Sequence, residues 1–134
     1  MKKEILSVLA GVITGIIVVM AGDFIAHSVF TTPETIDYND KEALKVMMAN
    51  IPVAMYAMML AFWCLSSFLG GLVAGKINPG AWKRSSLITG VMLMAAAITN
   101  LIMLPHPMWM VVATVLLYLP CAYAGGSMAN RKRV

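Results

Sequence analysis

Asp23 and His27 are the pair in this chain best placed to do chemistry together. They stand four apart, so a helix puts both on one face. Both fall near the end of the first apolar run, Ile5 to Ala26. A carboxylate at a helix C-terminus opposes the dipole, while a cationic imidazole suits it. Asp23 therefore needs a partner, and His27 is the nearest in sequence. An ionisable side chain inside a membrane span is a functional candidate by default. Asn100, and His106 just beyond its run, are expected at similar depth. Two readings of this polar cluster follow. In the first, Asp23, His27, Asn100 and His106 knit helices together. In the second, Asp23 and His27 exchange a proton or a cation.

Other chemistry finds less material. Imidazole and carboxylate suit several divalent metals, and Met103, Met108 and Met110 would bias such a site toward Cu(I). No ligand pair in that region has a metal-motif spacing, and thirteen methionines read as flexible packing filler, so no metal is expected. Two histidines are too small a supply for haem, and no cofactor is expected. Cys64 and Cys121 sit inside apolar runs without a Cys-x-x-Cys pattern, as small hydrophobes do. Ser66 and Ser67 have no His or acid at helical spacing, so no catalytic residue is assigned.

The elements that must position Asp23 are apolar and long. The chain is 60% hydrophobic and 12% charged. Soluble domains run nearer 45–50% apolar and about 25% charged, so the bilayer is the expected solvent. Four spans are expected, over about 5–28, 52–76, 84–104 and 108–129. Pro52 to Gly75 carries no charge at all, and about 20 such residues cross the hydrocarbon core. Val19-Met20-Ala21 resembles a signal-peptide cleavage site, but the apolar stretch exceeds the usual length, so a retained first span is expected. Pro120 predicts a kink in the last span. The outer loop, 30–50, breaks at Thr31-Thr32-Pro33 and is acidic (Glu34, Asp37, Asp40, Glu42). Asn39 or Asp40 can cap a short amphipathic helix there, with Leu44, Met47, Met48 and Ile51 on one face. That helix is expected to lie in the headgroup layer.

Small residues mark the packing faces. Ser7, Gly11 and Gly15 recur every fourth residue, as do Ser67, Gly71 and Gly75. The two faces are expected to meet each other. The net charge of +4 sits at segment ends, which points to the membrane surface and away from nucleic acid. Lys2, Lys3, Lys76, Lys83, Arg84, Arg131, Lys132 and Arg133 fall on one side of a four-span arrangement. By the positive-inside rule both termini are expected in the cytoplasm. Trp82 and Trp109 fall near opposite interfaces.

The second and fourth spans also match at an offset of 55 residues: Pro52 with Pro107, Met55 with Met110, Trp63 with Tyr118, Gly70-Gly71 with Gly125-Gly126. Ile13-Thr14-Gly15 similarly matches Ile88-Thr89-Gly90. Two tandem helical hairpins are the expectation, related by an axis along the membrane normal.

Gly22-Asp23-x3-His27, Pro33, Asp37, Asp40, Pro52, Gly70-Gly71, Asn100, Pro105-His106-Pro107-x-Trp109 and Leu119-Pro120 together resemble a set of small, uncharacterised bacterial four-span membrane proteins. The resemblance implies a fold and a location in a bacterial inner membrane, with no activity attached. The expected fold is all-α: an integral membrane four-helix bundle, N-in and C-in, with an extra amphipathic helix in the outer loop. The expected function is a non-catalytic accessory, scaffold or subunit, as a homo-oligomer or part of a larger membrane complex. The alternative is a small proton- or cation-coupled transporter or channel using Asp23 and His27.

Overall fold

Helix α1 spans Lys2–Val29, 28 residues, and carries Asp23 and His27. At 1.5 Å per residue, about 30 Å of rise separates Lys3 from Asp23, the full depth of a hydrocarbon core. The computed structural model describes residues 1–30 and 37–131. The Thr31-Thr32-Pro33 breaker, Glu34, Lys132 and Arg133 lie outside the described residues. Helix α2 follows at Lys41–Asn50, then α3 at Val53–Ile77, α4 at Trp82–Met103 and α5 at Met108–Asn130. A single 3-10 turn, Pro79–Ala81, joins α3 to α4. The described residues contain no strand. Helices α1, α3, α4 and α5 are long and apolar enough to cross a membrane, so the protein is a multi-pass helical membrane bundle. The chain stays helical through Pro120.

The bundle is apolar outside and small inside. Ile13, Ile17, Phe24 and Leu116 point outward, each more than half exposed. Ser7, Ser66, Ser67, Ser85, Ser86, Thr89 and Thr114 are fully buried. In lipid, apolar area gives helices no reason to associate; close backbone approach and hydrogen bonds do. Helix α3 supplies that approach on two sides. A Cβ at Gly70 would lie 2.8 Å from the Gly11 carbonyl oxygen of α1. A Cβ at Gly71 would collide with the Ala122 backbone of α5, and one at Gly75 would lie 2.9 Å from the Gly126 Cα. Gly125 abuts the Phe68 carbonyl in return.

Hydroxyls and amides stitch the same seam. Ser67 Oγ donates to the Tyr118 carbonyl at 2.6 Å, and Ser86 Oγ to the Gly71 carbonyl at 2.8 Å. Asn130 Nδ2 donates to the carbonyls of Gly126 (2.9 Å) and Gly75 (3.2 Å). The two small faces seen in the sequence therefore do not pair with each other. Ser7, Gly11 and Gly15 meet Ser85, Gly70, Thr89 and Leu93, whereas Ser67, Gly71 and Gly75 meet α5. Adjacent residues point about 100° apart on a helix, so Gly70 and Gly71 serve different neighbours.

The seam gathers the basic residues at one end. Asn78 Nδ2 donates to Ser85 Oγ at 3.0 Å, and the Ser7 and Ser85 hydroxyls lie 3.1 Å apart. Arg84 pairs with Glu4 at 2.8 Å, and Lys83 sits over the Trp82 ring. We call this the basic end. At the other end, the Asp40 carboxylate caps α2 by accepting from Glu42 N (3.1 Å) and Ala43 N (3.2 Å). Helix α2 buries Leu44 and Met48 against the bundle, and Tyr56 Oη donates to the Met48 carbonyl at 2.8 Å. That face therefore packs on protein, with Val46 left exposed.

Positions offset by 55 share environments. Pro52 and Pro107 both precede their helices at φ −59°, ψ 140°. Met55 and Met110 are fully buried, as are Trp63 and Tyr118 to within a few per cent.

Candidate functional site: a cleft at Asp23

Helices α1 and α4 touch near the basic end and part beyond it. Their contacts run from Ser7–Ser85 through Gly11–Thr89 to Gly15–Leu93. Past that point, a cleft of about 140 Å³ lies between them. Ile16, Met20, Ala96 and Asn100 form its exposed rim. Trp63, Leu93, Ala97 and Tyr118 form its buried floor. Asp23 lines it from α1.

Asp23 Oδ1 is buried and has no hydrogen-bond partner among the described residues. The expected partner is differently engaged. His27 Nδ1–H donates to the main-chain carbonyl of Asp23, 2.7 Å away. That bond folds the imidazole back onto the α1 main chain and leaves the carboxylate free. No ion pair involving Asp23 occurs among the described residues; the pairs found are Lys45–Glu42 and Arg84–Glu4. The i,i+4 spacing places the two residues on one face, but the main-chain carbonyl of Asp23, also four residues back, competes with its carboxylate for the imidazole.

Asn100 shares the cleft with Asp23. His106 and His27 instead line a second cavity, about 150 Å³, between α2, α3 and the α4–α5 turn. The cluster grouped by sequence is thus divided between two neighbouring chambers. Trp63 stands between them: it floors the Asp23 cleft, and its ring centroid lies 6.1 Å from that of His106. Tyr56 meets His106 edge-on at 5.9 Å. His106 Nδ1–H donates to the Leu104 carbonyl at 2.9 Å, which leaves Nε2 as the acceptor. That Nε2 is buried without a partner among the described residues, and so is the Trp63 indole N–H. Burial pushes the His106 imidazole below its ordinary 6.5, against the opposing pull of the Leu104 carbonyl and the Asp23 charge.

Trp63, Tyr118 and Tyr56 were not expected to belong to the site. Aromatic residues inside apolar runs look like ordinary membrane packing. The one available signal was the offset of 55, which equates Trp63 with Tyr118; both floor the cleft.

Among the described residues no group of three or more His, Cys, Asp or Glu is placed to hold a metal ion. Met103 and Met108 point outward, while Met110 is fully buried. Ser66 Oγ is spent on the Trp63 carbonyl at 2.7 Å. Cys64 and Cys121 are free thiols, half-buried on α3 and α5. From Gly15 to the basic end the glycine and serine contacts hold the helices together, and an open groove of about 380 Å³ runs along α1 and α4 outside them, lined by Glu4, Val8, Arg84 and Ile88. The arrangement offers a carboxylate acceptor in an apolar cleft, reached from the side between α1 and α4.

No family model, curated protein or solved structure matches this chain.

Proposed function

We propose that the protein is a small multi-pass protein of a bacterial inner membrane that takes up and releases a proton or small cation at Asp23. The observation that carries this reading is the buried, unpartnered Asp23 Oδ1 in a cleft with an exposed rim. A carboxylate kept only to knit helices would spend its acceptors on neighbouring donors, since an unsatisfied buried oxygen costs about 1–3 kcal/mol. His27 and His106 line the neighbouring chamber and would pass protons toward Asp23.

Both termini are assigned to the cytoplasm on the strength of the basic residues gathered at one end. The cleft then opens toward the outer leaflet. Two tandem hairpins, α1 with α3 and α4 with α5, are part of the proposal, supported by the matching environments at the offset of 55. So is membership of the small four-span bacterial group that the Pro105-His106-Pro107-x-Trp109 string resembles. The second reading is a non-catalytic accessory or scaffold, as a homo-oligomer or subunit of a larger complex. It rests on small-residue faces, the lack of a coherent catalytic set and polar residues confined to one end. The first of these supports is weaker because those faces meet helices of this same bundle.

The test is proton or monovalent-cation uptake into proteoliposomes. Asp23→Asn is expected to abolish uptake while the thermal unfolding profile in detergent stays unchanged. Equal uptake by a folded Asp23→Asn variant, or none by the unaltered protein, would sink the proposal.

A further inference from the structure

We infer that the Asp23 cleft receives an organic ammonium group, with the apolar part of the ligand lying against the α1 and α4 walls. The inference rests on the cation reading above and names the class of cation. Three observations select it. First, the charge: Asp23 supplies a carboxylate oxygen with no partner among the described residues, which repels anions and attracts a donor cation. Second, the donor set: beside Asp23, the oxygens brought by cleft side chains are the Asn100 amide and the Tyr118 hydroxyl. A dehydrated Ca²⁺ needs six to eight oxygens, so this cleft is too poor in them for that ion. Third, the walls: Ile16, Val19, Leu93 and Ala97 are aliphatic, and Trp63 and Tyr118 are aromatic. Aromatic faces beside a carboxylate are how proteins hold ammonium groups, through cation–π attraction within about 6 Å. A bare proton would need none of this volume.

Size sets the scale. The cleft measures about 140 Å³, close to the engineered cavity of about 150 Å³ that accepts benzene. It holds an ammonium head with a few carbons, and its exposed rim lets a longer chain trail out between α1 and α4. The amine could arrive on a membrane amphiphile or free in water; both present the same chemistry.

The test uses the full chain with Trp82→Phe and Trp109→Phe, so that Trp63 alone reports by fluorescence. It is reconstituted in phosphatidylglycerol vesicles, whose lipid carries no amine. Hexyltrimethylammonium and hexylammonium are titrated, with hexanol as the uncharged control. We expect a saturable change for the ammonium ions, no saturable change for hexanol, and a loss of roughly tenfold or more in affinity for Asp23→Asn. Ala96→Phe fills the rim without touching the charge; it should block binding while the infrared carboxyl band of Asp23 still titrates. Adding phosphatidylethanolamine distinguishes the sources. Weaker apparent binding marks a lipid amine as the occupant, and unchanged binding marks a soluble one; each supports the inference. No saturable response, an equal response to hexanol, or full affinity in Asp23→Asn overturns it. If the ammonium ions fail while uptake still depends on Asp23, only this inference falls. If uptake is also independent of Asp23, the proposed function falls with it.

Discussion

His106 is held by its own turn. The Leu104 carbonyl accepts both its main-chain N–H and its Nδ1–H, each at 2.9 Å. Folding thus fixes a half-buried imidazole whose affinity for protons is lowered by burial. Such a group binds fewer protons in the folded than in the unfolded protein as pH falls below about 6.5. Its contribution to stability is present above that pH and is lost on further acidification through the folded value. The unfolding temperature in detergent is expected to fall between pH 7 and pH 5, and His106→Asn should flatten that fall. An identical pH profile in the variant would remove His106 from the explanation. Asp23 was visible in the sequence as a charge within an apolar run. Its surroundings were not, because the main-chain carbonyl of Asp23 takes the imidazole that spacing alone assigned to the carboxylate.

At the scale of elements, the helices were legible because their apolar lengths fit the membrane and prolines or polar turns end them. The partner of each face was less so. A stripe of small residues says that a backbone comes close; it does not say whose. Docking decided it, giving Gly71 to α5 and Gly11 to Gly70 and Thr89. Gly71→Ala should therefore force α3 from α5 and destabilise the fold by about 1–3 kcal/mol, the usual cost of overpacking. Gly80→Ala is the control, since a Cβ there meets nothing within 4 Å. Thermal unfolding of both in the same detergent checks this; equal stability would mean that α3 and α5 are not so tightly apposed. The short helix α2 shows the same limit. Its cap and apolar face were readable, but its burial against Tyr56 depends on where α3 begins.

Across the whole molecule, α1 and α4 are in contact toward the basic end, beside an outer groove of about 380 Å³, and part into the Asp23 cleft toward the other. This division was beyond sequence reasoning, because it arises where α1 and α4 diverge above Gly15. It makes orientation testable. In a chain with Cys64→Ala and Cys121→Ala, Tyr38→Cys should react with a maleimide that cannot enter intact cells. Gly80→Cys should be protected until the cells are opened. Labelling of Gly80→Cys in intact cells would invert the topology and turn the cleft to the cytoplasm.

The two-sided character of α3 also bears on how the chain is made. Gly70 finds Gly11 in a helix already synthesised, but Gly71 and Gly75 wait for α5, whose last residue is Asn130. At ribosomal speeds of about 5–20 residues per second, that wait lasts on the order of 3–10 seconds. During it the nascent protein carries a bare glycine groove into the bilayer, so the growing chain has a vulnerable interval that the finished one does not.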